Sequence, residues 1–227
     1  MRSFFIFLSF VVCPLSDSLL WGEEDVEMRA VQFAAFGDDF FDGLRFEVSE
    51  DRVVDLKFYP DRRTGVCLLP SQKRRVSFFR ERRAADGKTI IREPQAEVDF
   101  EGIGLRALLI FTVSKNRERP YEVLVLDESN PAFGSGAVRF LNLTGVELKG
   151  KFGEEIFDLR LGVSDTLRFE TAGWNPRALI LAIAREGQKY TIVYSSSASI
   201  DPERGVLFVI KPPQSLESRI VSVQRLY

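Results

Sequence analysis

There is no histidine among the 227 residues, and there are only two cysteines and two methionines. Without histidine, the Ser-His-Asp and Cys-His nucleophilic arrangements, His-containing metal sites and His-ligated haem are all excluded. The one side chain that titrates near neutrality unaided is also missing, so acid–base work would fall to carboxylates, lysine, tyrosine or a displaced thiol. A chain without enzymatic activity, cofactor or assigned metal site is the reading these absences favour. Long apolar runs are missing too. Phe4 to Val12 is too short for a permanent membrane helix and no later stretch is longer, so the mature chain is expected to have no transmembrane span. Acids and bases nearly balance, at a net charge of −2, which provides no global attraction to nucleic acid.

What is present begins with an export signal. Arg2 supplies a positive start, Phe4 to Val12 the apolar run, Pro14 a break, and Ser16 and Ser18 the small residues read by a signal peptidase, with Gly22 a second candidate. Residues 1–22 are therefore expected to be removed and the mature chain to be periplasmic or extracellular. Cys13 leaves with the signal in that case, and Cys67 alone cannot form an intramolecular disulfide. The surrounding Val66-Cys67-Leu68-Leu69 implies a buried thiol with a raised pKa.

Period-two patterns and short apolar runs between turn signals dominate the rest. The expected strands are Val26–Phe36, Leu44–Val48, Arg52–Phe58, Val66–Leu69, Arg75–Arg83, Lys88–Glu93, Ala96–Phe100, Leu105–Val113 and Tyr121–Leu126. They resume after Asn130 to Gly136 with Ala137–Leu143, Val146–Phe152, Glu155–Leu161, Thr166–Glu170, Arg177–Ala184, Lys189–Ser195, Val206–Ile210 and Ile220–Leu226. Asp86-Gly87 suits a two-residue type I′ hairpin, Asp201 to Gly205 a type I turn, and Pro212-Pro213 a strand end. The fold expected is all-β: two tandem antiparallel, immunoglobulin-like sandwich domains, 23–130 and 137–227, joined by a linker at 131–136. Arg106–Ile110 with Tyr121–Val125 resembles Arg177–Leu181 with Tyr190–Tyr194, which suggests that the two domains are related. Ala107–Phe111 and Ala178–Ala184 are apolar on both faces, so each domain should cover the other's second face, with homo-oligomerisation as the rival.

The stretch Val138 to Leu143, with Lys189 to Ser196 and Phe78 to Glu81, resembles uncharacterised exported β-sandwich proteins of environmental bacteria. That resemblance covers mainly the second half and implies fold and export; it brings no activity or site residues with it.

Charge is unevenly placed. Residues 23–51 hold ten acids against two bases, and residues 52–92 hold twelve bases against four acids. Lys73, Arg74, Arg75, Arg80, Arg82 and Arg83, with Phe78 and Phe79 among them, could grip an anionic partner; alternatively, acidic and basic strands pair within one domain. Gly37 to Gly43 places Asp38, Asp39 and Asp42 in a turn, but without EF-hand spacing. Lys189 and Ser195 lie too far apart along a strand to form a local dyad. Trp174, before Asn175-Pro176, could stack on a sugar ring or close a core. Asn142-Leu143-Thr144 matches a glycosylation sequon by chance.

The function expected is that of an exported interaction protein contacting another protein or an envelope polymer. A carbohydrate-binding module and, less favoured, a carboxylate-based hydrolase are the alternatives. N-terminal sequencing of the mature protein should begin between Asp17 and Glu23; an intact Met1 on a soluble cytoplasmic protein would sink the export reading.

Overall fold

The computed structural model describes residues 26–36, 41–59, 62–114, 116, 118–169, 173–184, 190–213, 215 and 218–227. Regular structure among them is all β-strand. No helix among them is long and apolar enough to cross a membrane. The first half contains β1 (Met28–Ala35), β2 (Arg45–Ser49), β3 (Arg52–Asp55), β4 (Cys67–Pro70), β5 (Arg75–Arg83), β6 (Ile90–Asp99), β7 (Arg106–Val113) and β8 (Tyr121–Asp127). The second contains β9 (Ala137–Asn142), β10 (Leu148–Phe152), β11 (Glu155–Leu159), β12 (Gly162–Val163), β13 (Leu167–Arg168), β14 (Gly173–Ala184), β15 (Tyr190–Ile200), β16 (Val206–Lys211) and β17 (Ser222–Leu226).

Period-two alternation gives most of these strands one face toward a core, as in β1, where Val31 and Phe33 are buried and Ala30 and Gln32 are half-buried. Three expectations change. Lys88–Glu93 and Ala96–Phe100 are one strand, β6, because Pro94 sits opposite Phe79 and a bulge at Gln95 carries the ladder past it. A proline without an N–H is tolerated there because β6 is a sheet edge. Thr166–Glu170 shrinks to β13, and the short β12 precedes it. The turn after β5 is not a two-residue hairpin: Ala84 N–H donates to Thr89 O, leaving a longer loop in which Gly87 takes φ 68°. Asp86 holds that loop by accepting from the Lys88 and Thr89 amides.

The strands form four sheets, ordered β4-β1-β7-β8 and β3-β2-β5-β6 in the first half, and β12-β9-β16-β17 (with β13 also on β9) and β11-β10-β14-β15 in the second. This order differs from the immunoglobulin one, where strands one, two, five and four oppose three, six and seven. The two sheets of the first half share a core of Val31, Phe33, Phe46, Phe78, Leu109 and Phe111, among others. Those of the second share Val138, Phe140, Phe152, Leu181, Phe208 and others.

The same order occurs twice, with β1 corresponding to β9, β5 to β14, β7 to β16 and β8 to β17. β1 runs parallel to β7 as β9 does to β16, and the bulge at Gln95 of β6, opposite Phe78 and Phe79, recurs at Val193 of β15, opposite Leu181 and Ala182. Phe33 N–H donates to Thr64 Oγ1 and Phe140 N–H to Ser164 Oγ, each at 3.0 Å. The repeat is therefore real, but the hairpins that match are β7–β8 with β16–β17. The resemblance of Arg106–Ile110 to Arg177–Leu181 is a coincidence of common strand residues, since β14 corresponds to β5.

One exchange of volume separates the halves. Phe46 and Val54 face each other in the first, whereas Gly150 and Phe157 do in the second. A Cβ on Gly150 would lie 2.2 Å from the Phe157 ring, so the ring that packs on Phe33 from β2 is supplied against Phe140 from β11.

A third cluster joins the halves. Ala34, Phe36, Leu108, Ile110 and Leu126 meet Leu141, Leu143, Leu207, Val209 and Leu226, which by register are the same five positions of each half. The second face of β7 is covered as expected. That of β14 is not covered by the other half: the second half contributes β16 instead. Lys149 and Lys151 of β10 stand beside Ala182 and Ile180, where their aliphatic stems can shelter an apolar face. Residues 131–136 are also no free linker. Phe133 packs into the third cluster, and Arg168 donates to the Ser135 and Ala132 carbonyls.

Leu108 and Leu207 are fully buried in this contact. Either Leu→Ala change should cost about 2–5 kcal/mol, and calorimetry should still show one transition, lowered as a unit. Two transitions with only one displaced would show that chain connectivity alone couples the halves.

Candidate functional site

Most of the basic stretch is engaged within its own half. Lys73 Nζ donates to the Glu47 and Val48 carbonyls at 2.6 and 3.3 Å. Arg74 pairs with Asp99 and Glu101, Arg75 with Asp99 and Arg82 with Glu93. Arg80 donates to Tyr121 Oη at 2.7 Å, while Arg83 stands exposed at the end of β5. Asp55, Arg45, Glu81, Arg92 and Glu47 form a chain of alternating charge across β3, β2, β5 and β6. The neighbours are supplied chiefly by β6 and the turn after it; among the described residues of 23–51, Glu47 is the carboxylate that joins in. A groove of about 430 Å³ on this face is lined by Lys73, Arg75, Arg92 and Arg119, but Glu47 and Glu97 already hold Arg92 and Arg119 there.

Other expected positions do not converge. Trp174 belongs to β14, and its side chain lies outside the described residues, as do Asp38, Asp39 and Lys189. Among the described residues no three His, Cys, Asp or Glu side chains cluster to hold a metal. The Asn142 amide is buried, donating to the Val146 carbonyl at 2.8 Å and accepting from the Thr144 hydroxyl. The sequon is thus a turn device closed to a glycan.

Two arginines that the sequence did not single out are structural clamps. Arg63 and Glu128 pair at 2.7 Å with side chains only 7% and 6% exposed, next to the junction of the halves. Breaking such a pair leaves an uncompensated buried charge, worth about 3–5 kcal/mol. Arg29 is buried over the Phe100 ring and donates to the carbonyls of Gly104, Ser71, Lys73 and Ile103. Sequence separations of 65 residues for the pair, and up to 75 for Arg29, left no local signal of either.

The feature not accounted for by folding alone lies at the open side of the first half. β4 pairs with β1 and β3 with β2, and each ends its sheet. Between these edges runs a groove of about 480 Å³, with Phe33 of the core in its wall and Val54, Leu56, Tyr59, Cys67 and Leu68 around it. Tyr59, Val66 and Leu68 are 54%, 60% and 48% exposed. Apolar side chains beside strand edges that pair with no further strand among the described residues form a surface suited to strand addition. The Cys67 thiol is half-buried in this wall instead of fully enclosed; burial raises its pKa and the nearby Arg52 charge pulls it back. Arg52 and Lys57 flank the groove, and Asp55 on its rim is held by Arg45.

No protein-family model matches the chain, and no curated protein sequence matches it.

Arg74 and Arg75 are well exposed, so each of their pairs contributes little on its own. Arg74→Glu combined with Arg75→Glu places two more carboxylates beside Asp99 and Glu101, which should lower stability at low salt and less so at 1 M. A salt-independent loss in denaturant titrations would contradict the pairing described.

Proposed function

We propose that the chain is an exported, non-enzymatic interaction protein of a bacterial periplasm or exterior, built as two tandem β-sandwich domains, which holds another protein at the groove beside β4. The observation that carries this reading is the exposure of Tyr59, Val66 and Leu68 at a pair of strand edges left free among the described residues, above a wall that includes the core residue Phe33. Water-facing apolar groups grouped in this way are retained where a partner covers them. The export half of the reading rests on Arg2, the Phe4–Val12 run and the small residues after Pro14.

The test is a pull-down from the native envelope fraction, run in parallel with the unchanged chain and with a Val66→Thr, Leu68→Arg variant. A protein retained by the first and lost from the second supports the reading. Equal retention by both chains would remove the groove from it. Capture that survives protease treatment of the envelope would transfer the partnership to a surface polymer.

A further inference from the structure

The halves of this chain compare one sandwich edge with another. By register, Val54 occupies the place of Phe157, Cys67 that of Leu167, Val66 that of Thr166 and Leu68 that of Arg168. In the second half the space between β11 and β13 is filled from within. Phe157 stacks on Phe140 with ring centres 5.0 Å apart and meets Phe169 at 5.3 Å. The outward positions there are polar and occupied: Thr166 accepts from Arg139, and Arg168 donates to the Ala132 and Ser135 carbonyls.

In the first half the inward side chains stop short. Phe46 fills the deep part of the space from β2, but Val54 and Cys67 leave the rim open as the 480 Å³ groove, a size within the roughly 300–1,000 Å³ of ligand pockets. The same strand order forms with Thr and Arg at the outward positions of the second half, so the fold does not require Val66 and Leu68 to be apolar. The internal copy also shows what the rim accommodates: a bulky apolar or aromatic side chain. Among the described residues no carboxylate ion-pairs with Arg52 or Lys57, so the flanks favour negative charge.

We infer that the groove takes an extended segment of the partner protein in which bulky apolar side chains alternate with acidic ones, laid along the free edge of β4. Strand geometry demands the alternation: successive side chains point to opposite faces, one set into the groove and the other toward the flanking cations. The inference rests on the interaction reading above and specifies its ligand class.

The test titrates the full-length mature protein with a blocked heptapeptide alternating glutamate and phenylalanine. Binding is read by calorimetry and by the rate of Cys67 alkylation with N-ethylmaleimide, followed by mass spectrometry. Saturable binding that slows Cys67 alkylation about tenfold is expected, with peptides carrying serine for phenylalanine or lysine for glutamate about tenfold weaker or worse. Val66→Thr with Leu68→Arg should weaken binding by about tenfold at an unchanged melting temperature. The coupled change Phe46→Gly with Val54→Phe, which reproduces the Gly150 and Phe157 pair and closes the rim as Phe157 does, should abolish it. No saturable binding, equal binding of the serine or lysine peptides, or an unaffected double variant would overturn the inference. If the peptide fails while the double variant still loses its envelope partner, the ligand class is wrong and the interaction reading stands. If the peptide binds but no envelope partner depends on the groove, the interaction reading fails instead.

Discussion

The contact between the outer faces of β7 and β16 determines how the molecule is laid out. Leu108 and Ile110 on one side and Leu207 and Val209 on the other are fully buried only because the two faces meet, and each such side chain is worth roughly 1.5–3 kcal/mol. Because the same five positions are used on each side, the contact has the self-complementary form of an interface between identical subunits, realised here within one chain. It draws the connecting segment in with it through Phe133, and it leaves the sheets β3-β2-β5-β6 and β11-β10-β14-β15 as the outer walls.

Those walls face solvent and meet that condition with charge. On the first, arginines and carboxylates alternate across four strands; on the second, Lys149 pairs with Asp158 at the place where Arg45 pairs with Asp55. Cations committed in this way are poor handles for an anionic polymer, since any ligand would have to displace a partner already in contact. Between the sheets of each half lies a rim, and the halves treat their rims differently. The second is packed shut with aromatic rings, while the first is open and apolar.

Much of this was legible in the alternation of side chains. β5 lies where the pattern places it, and most strand ends agree to within two residues, because one-sided burial leaves a period-two trace. The relation between the halves was visible only as a suspicion attached to the wrong hairpins. Matching by residue type picks out the leucines and isoleucines that any buried strand shares, whereas the true correspondence lies in register and in bonds such as Thr64 and Ser164 to their neighbouring strands. Charge counts showed that residues 52–92 needed partners, but not that β6 would supply most of them, which depends on the hairpin register. The groove itself is assembled from two sheet edges, so no single segment carries its signature. The apolar second face of β14 was misread because a residue string does not show that Lys149 and Lys151 would stand beside it.

The exchange of Phe46 and Val54 for Gly150 and Phe157 has a meaning for how such a chain can change. Each pair brings one ring against the core phenylalanine of its half, but neither member of one pair is compatible with its counterpart from the other: two rings would collide, and a glycine facing a valine would leave a void. Substitutions here are therefore admissible only in couples. Two halves bound by that rule can share one strand order and register while differing in most of their residues, which leaves little for a residue-by-residue alignment to find. The smallest portion that could be transplanted from one half to the other is a bonded pair of strands, and a lone strand would arrive without its complement.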